Sequence, residues 1–253
     1  KLAFVYGEPI FVPRDASPDQ LEDIRQSVER ALNTATRRAY ALAGADPARS
    51  TPRSADPSLP PPNPGLLLRV YRGASRLLAP IAPIVLARRA ERGKEDPARQ
   101  DERLGRSLRS RPDGPVAWIH AASVGELMAV LPVIDRLRVA RADVTLLVTT
   151  GTVTSAGLAA ARLGPRAIHQ FVPIDTPQAV TGFLDHWKPS LAIFTESEIW
   201  PNLMLATSQR KIPLVLVNAR MSSRSSQRWR RRKRIAKQLF GQFRLVLAQN
   251  AVY

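Results

Sequence analysis

Three carboxylates, with the short stretches around them, have the types and spacing to do chemistry in this chain. The first stands in Ser123-Val-Gly-Glu126, directly after the apolar run Val116–His120. Two readings fit it. Ser-x-x-Glu is a capping box, in which Ser123 caps a helix and Glu126 reaches back to the Ser123 backbone N–H. Glu126 also suits a general base on a crevice floor, with Gly125 allowing close backbone approach and His120 and Ser123 beside it. The other two carboxylates stand in Thr195-Glu-Ser-Glu-Ile-Trp-Pro-Asn202. Pro201 suits the first position of a helix, and Trp200 before it should be extended, so Glu196 and Glu198 fall in a loop. Two carboxylates, an indole ring and an amide there suit a sugar or a cation. A solvated acidic turn is the alternative.

Thr149-Thr-Gly-Thr-Val-Thr-Ser155 is a hydroxyl-rich turn entering a helix. Its N–H groups suit a phosphate or a sugar hydroxyl, and ordinary Thr/Ser capping is the alternative. The chain contains neither Gly-x-x-x-x-Gly-Lys-Ser/Thr nor Gly-x-Gly-x-x-Gly, so the P-loop and the dinucleotide fingerprint are both absent. His169 falls within a strand and His186 near a helix end, neither with a metal ligand at useful spacing. Both read as structural, and neither a metal site nor a cofactor is expected.

Positioning these loops requires a regular scaffold, and from Val116 the sequence supplies one. Apolar runs predict strands at 116–120, 143–149, 168–172, 191–195, 213–218 and 244–249. Helical periodicity predicts helices near 126–138, 154–163, 176–186, 201–209 and 223–239. Strand alternating with helix implies an α/β fold, a Rossmann-like parallel sheet with helices on both faces. The loops at the C-terminal ends of the strands, Ala121–Gly125, Thr150–Val153, Pro173–Asp175, Glu196–Trp200 and Ala219–Arg224, should then line one crevice.

The 253 residues allow one large domain or two ordinary ones, and 44% hydrophobic content excludes global disorder. The absence of cysteine excludes disulfides and thiolate metal sites. A formal net charge of +17 favours a polyanionic neighbour: nucleic acid, an anionic membrane face or a phosphorylated substrate. Much of that charge is dense in Arg228-Trp-Arg-Arg-Arg-Lys-Arg234. This run suits nucleic acid, and the alternative is a solvated helix face dense enough to meet anionic lipid or substrate phosphates.

The residues before Val116 read as attachments. The chain opens on Lys1 inside a strand-like run, no signal peptide is read there, and both ends look cut from a longer chain. Residues 1–42 combine that run with a helical stripe, Leu21, Ile24, Val28, Leu32 and Ala35. Seven prolines between Ala43 and Gly65 mark a linker and a domain boundary. Leu66–Ala87 is apolar but carries Arg69, Arg72, Arg76, Pro80 and Pro83. This argues against a spanning helix and for a basic amphipathic helix at a membrane surface; a helix packed on its own domain is the alternative. Arg88–Arg111 reads as a solvated, charged helix and loop, and residues 66–111 together form a membrane-associating segment.

Two resemblances follow from these motifs. The Val5-Tyr-Gly-Glu-Pro-Ile10 stretch resembles the C-terminal end of the DUF374 lysophospholipid-acyltransferase-like family. The His-x4-Asp pair that such chemistry needs is absent, so residues 1–42 are expected to be a remnant or fusion partner. Far more specific is a set in order: His120-Ala-Ala-Ser-Val-Gly-Glu126, Thr149-Thr-Gly-Thr152, Thr195-Glu-Ser-Glu-Ile-Trp-Pro-Asn202, Asn218-Ala-Arg220 and Leu247-Ala-Gln249. These resemble the N-terminal half of the 3-deoxy-D-manno-octulosonic acid (Kdo) transferases of lipopolysaccharide synthesis.

That resemblance implies a GT-B fold with residues 112–253 as its N-terminal, acceptor-side domain and the C-terminal donor domain missing. It also implies metal-independent, inverting transfer of Kdo from CMP-Kdo to a lipid A precursor at the cytoplasmic face of the inner membrane. Carried over, Glu126 is the general base, with Glu196 and Glu198 as catalytic support. Ser123, Gly125 and Trp200 shape the acceptor side, and Thr150, Gly151, Asn202 and Arg220 join them in binding substrate. The partners implied are CMP-Kdo, the lipid acceptor and the anionic membrane surface, not nucleic acid. This chain alone is expected to have little or no activity. The competing reading is a non-catalytic basic module that binds anionic lipid or nucleic acid.

Overall fold

The structure, a computed structural model, describes residues 64–248 except 165, 166, 197, 221 and 222, together with Ser17, Gln20, Asp23 and Thr34. The expectations for residues 1–42 and for most of the linker therefore lie outside the described residues. The elements from 66 to 248 belong to one compact unit. Six strands form it: β1 Val116–His120, β2 Thr145–Thr150, β3 Ala167–Phe171, β4 Leu191–Thr195, β5 Leu214–Ala219 and β6 Leu245–Ala248. All pairings are parallel and the strand order is β3-β2-β1-β4-β5-β6. The order reverses between β1 and β4, and in open parallel sheets ligands bind in the crevice beyond that point.

Strands β1, β2 and β4 are buried almost throughout, which is why they read as nearly continuous apolar runs, whereas Val246 and Leu247 of the edge strand β6 are exposed. Along β1, Val116 and Trp118 join one core layer while Ala117 and Ile119 join the other. Trp118 packs on Phe183 and Phe194, with ring centroids 4.9 and 5.0 Å apart. Its indole N–H donates to Thr149 Oγ1, so the polar edge is satisfied inside the core.

The helices are α1 Leu66–Leu78, α2 Ala82–Glu91, the single turn α3 Gln100–Arg103, α4 Val124–Ala140, α5 Val153–Arg162, α6 Pro177–Trp187, α7 Pro201–Gln209, α8 Ser223–Arg231 and α9 Lys233–Phe240. The expected helix over 223–239 is thus two helices broken at Arg232. Trp229 and Phe240, roughly 16 Å apart along a straight helix, pack edge to face with centroids 5.4 Å apart, and only a break lets them meet. Helix α4 begins at Val124, so Gly125 lies in its first turn and not in the loop that was expected to run to it.

The charged stretch before β1 is not simply solvated. Glu95 and Arg103 are buried, with Arg103 Nε donating to Glu95 at 2.9 Å. Arg99 and Glu102 cover the edge strand β3: Arg99 donates to the His169 carbonyl and Glu102 accepts from Phe171 N. An open sheet edge is thereby closed by side chains. Arg99 and Arg103 also lie over the Phe171 ring.

Helices α1 and α2 pack on the domain through Leu68 and Leu86 yet leave Leu66, Leu67, Leu77, Leu78, Ile84 and Val85 exposed. The packed-helix alternative thus holds for Leu68 and Leu86. Among the described residues, no helix is long and apolar enough to cross a membrane.

Two histidines sit neutral inside this fold. Burial pushes His120 down to about 4, helped by the Arg103 charge, and its Nε2 has no partner. Burial and the Arg99 and Arg109 charges push His169 down to about 3. Unfolded, both would titrate near 6.5, so below that pH the unfolded chain binds more protons and stability falls. Urea unfolding should show a loss on the order of 2–3 kcal/mol from His120 alone between pH 7 and pH 4.5. Equal stability at the two pH values would show that the imidazoles gain solvent or a carboxylate in the folded state.

Candidate active site

Glu126 stands at the sheet's switch point, 6% exposed, on the first turn of α4. Ser123 caps that helix, its Oγ accepting from Glu126 N. The second half of the expected capping box is different. The Glu126 carboxylate does not take the Ser123 backbone N–H. It accepts from Ala122 N at 3.0 Å, Ser123 Oγ at 3.0 Å and Thr195 Oγ1 at 2.6 Å. Thr195, the last residue of β4, ties the carboxylate to the neighbouring strand. Three donors fix the carboxylate's orientation, and the Thr195 bond is short as expected for a hydroxyl on a charged acceptor.

Glu198 lies on the facing loop, after β4. Its Oε2 accepts from Trp200 Nε1 at 2.7 Å. Burial pushes its carboxyl up, and the Glu126 and Glu196 charges push it further. Glu126 and Glu196 thus both act on Glu198. Glu196 adopts a left-handed backbone, φ 55°, and its carboxylate pairs with Arg220 at 2.9 Å. Asn218, at the end of β5, is left-handed as well. Strained residues on adjacent strand ends are typical of functional crevices.

Ser123 and Gly125 are exposed, and a Cβ on Gly125 would meet nothing within 4 Å. A ligand thus has open access to the N-terminus of α4. Gly151 is a different case, because a Cβ there would lie 2.8 Å from the Ala122 carbonyl. Its N–H donates to that carbonyl and its own carbonyl accepts from Arg103. Gly151 joins the two loops and has no backbone N–H left for a substrate.

Two expected binding residues are occupied elsewhere. Thr150 is fully buried and its hydroxyl bonds His169 Nε2, while Thr152 and Ser155 form the capping box of α5. The capping alternative therefore holds for this loop. Asn202 is 4% exposed; its amide donates to Ser75 Oγ and to the Asp175 carbonyl. Position on a strand-end loop does not make a side chain available when a neighbouring helix covers it.

Thr195, Arg103 and Asp175 were not singled out from the sequence. Arg103 donates to the carbonyls of Gly151 and Val172 and is neutralised by Glu95. Asp175 accepts from Asn202 N and Leu203 N, capping α7, and from the Tyr71 hydroxyl of α1. Burial nonetheless pushes the Asp175 carboxyl up, and Tyr71 is pushed up by its own burial and the Asp175 charge. Each Asp175 oxygen faces a backbone N–H, so Asp175→Asn must turn an amide N–H toward one of them. Chemical denaturation should give a loss of about 1–3 kcal/mol. An unchanged midpoint would mean that α7 does not depend on this cap.

Fold and site together define a Rossmann-like α/β domain with a carboxylate-bearing crevice at its switch point. The model of the 3-deoxy-D-manno-octulosonic-acid transferase (Kdo transferase) family matches residues 98–253, and the chain belongs to that family. A probable mitochondrial 3-deoxy-D-manno-octulosonic acid transferase of Arabidopsis thaliana is 43% identical over 161 residues, 64% of this chain and 36% of its own length. The 3-deoxy-D-manno-octulosonic acid transferase of Rickettsia bellii is 38% identical over 184 residues, 73% of this chain and 44% of its own. That of Haemophilus influenzae is 35% identical over 135 residues, 53% of this chain and 32% of its own. The chain thus spans less than half the length of these relatives.

Proposed function

We propose that this chain is the acceptor-side domain of an inverting GT-B glycosyltransferase that moves Kdo from CMP-Kdo to a lipid A precursor. The observation that carries this reading is the placement of Glu126 at the switch point, oriented by Ala122, Ser123 and Thr195 and faced by Glu198. Glu126 takes the proton of the acceptor hydroxyl. The freed oxygen forms a bond to the anomeric carbon of Kdo as the bond to the phosphate breaks, and CMP leaves with the electron pair. Attack opposite the leaving group inverts the centre. Glu196 and Glu198 support the site, Arg220 sets Glu196, and Ser123, Gly125 and Trp200 line the acceptor side. Turnover draws on the remaining length that the relatives carry.

The same reading puts the domain on the cytoplasmic face of the inner membrane, held peripherally or by an N-terminal anchor. Exposed apolar residues of α1 and α2 alternate with the exposed Arg69, Arg72, Arg76 and Arg88. Arg228, Arg230–Arg232, Lys233 and Arg234 add exposed cationic surface. Apolar burial plus attraction to anionic lipid suits a surface-bound domain.

Flotation with vesicles should show binding to membranes containing anionic lipid, weakened by salt, and titration should show binding of a lipid A precursor. Tight binding of duplex DNA at physiological salt, with no affinity for the lipid, would instead favour the nucleic-acid module.

A further inference from the structure

A cavity of about 510 Å³ lies between the α1–α2 segment and the ends of β2 and β3, a size usual for a small-ligand site. Leu78, Ile81, Val85, Leu86, Val172 and Ile174 give it apolar walls. At one side it reaches Ala122 and Gly151, the backbone that holds the Glu126 loop, and Trp200. At the other, Leu78, Ile81 and Val85, which line it, are themselves exposed and belong to the apolar face of the α1–α2 segment.

The charged groups at its wall already have partners. Glu95 pairs with both Arg89 and Arg103. Arg103 also holds two carbonyls, and Asp175 holds two backbone N–H groups and Tyr71. Apart from the Nη groups of the half-exposed Arg89, a sugar or phosphate inside would lose its hydration without finding free donors, whereas a hydrocarbon loses nothing.

We infer that this cavity is an acyl-chain subsite: it takes one acyl chain of the lipid acceptor while the sugar stands over Gly125 beside Glu126. The inference rests on the proposed lipid-acceptor reading and deepens it. The occupant follows from the apolar lining, the absence of an unpaired charge, and continuity with the base at one end and the exposed apolar face at the other. Acceptors would then be selected by chain length as well as by sugar.

The test uses glucosamine 1-phosphate carrying one amide-linked chain of eight, ten or twelve carbons, below its micelle-forming concentration, and the same sugar phosphate without a chain. Calorimetric titration of the full chain should show Kd falling about fourfold for each added methylene until the cavity is full. Ala82, which lines the cavity, is then changed. Ala82→Trp should abolish that chain-length dependence. If the dependence is the same in wild type and Ala82→Trp, the chain lies elsewhere and the inference falls while the acceptor reading stands. If no probe binds, with or without a chain, the acceptor reading itself falls.

A diazirine on the last carbon of the twelve-carbon chain keeps the question open to measurement if Ala82→Trp does not fold. Crosslinks within 78–86 or 172–174 are expected, and crosslinks confined to 66–71 would overturn the subsite. A concentration-dependent dimer that Ala82→Trp disrupts would assign the cavity to a second copy and would also overturn it.

Discussion

Glu126→Gln, in a transferase reconstituted from this chain and the C-terminal half of a relative, lowers kcat by about 10²–10⁴-fold, the range for removing a positioned general base. The fold should survive the change. Gln keeps the shape, its oxygen accepts from Ala122 N, and Ser123 Oγ can rotate to accept from the new amide. Thermal unfolding therefore moves little while turnover collapses, and acceptor affinity is retained. Glu126→Ala removes the acceptor of Ala122 N as well, while Thr195 Oγ1 can still donate to the His120 carbonyl, and should cost stability too. Steady-state transfer assays with both variants make the distinction. Wild-type turnover in Glu126→Gln would remove the residue from the base role and leave it as a structural link between α4 and β4.

The second large effect is on folding. Gly105→Ala should destabilise the domain by at least about 3 kcal/mol, near the upper end for single substitutions. Gly105 has φ +78°, and a Cβ there would lie 1.9 Å from the Ala179 carbonyl. Backbone cannot yield as the end of a flexible side chain can. In the other direction, a Cβ on Gly182 would come within 2.9 Å of the Gly105 carbonyl, so the turn and α6 touch through two glycines. This contact seats Arg103, which reaches the crevice loops. Denaturant unfolding of Gly105→Ala reads the effect directly; a midpoint equal to wild type would show that the turn can move off α6 without cost.

The sheet was legible because its inner strands β1, β2 and β4 are buried on both faces, and the run Val116–His120 says so without help. The helix at Pro201 was legible because proline at the first turn and an extended residue before it are local rules. What escaped was long-range. Nothing in the spacing of Glu95 and Arg103 tells a solvated charge run from a buried pair that supports Gly151 and Val172. Thr195 lies 69 positions from the carboxylate it orients. Thr150 and Asn202 stood where binding residues stand, and only the packed neighbours His169 and Ser75 show that Thr150 Oγ1 and Asn202 Nδ2 are engaged. The break at Arg232 is of the same kind, since it answers to a Trp229–Phe240 contact that periodicity cannot register.

The most direct measurement is Kdo transfer from CMP-Kdo to a lipid A precursor in detergent, by this chain alone and with a separately supplied C-terminal half of a relative. Transfer is expected only when the second half is present, and its loss when that mixture carries Glu126→Gln. Transfer by this chain alone would contradict the division of the site between two domains. No transfer by the mixture, with both parts folded and acceptor bound, would contradict the proposal that this crevice is the acceptor side of a transferase.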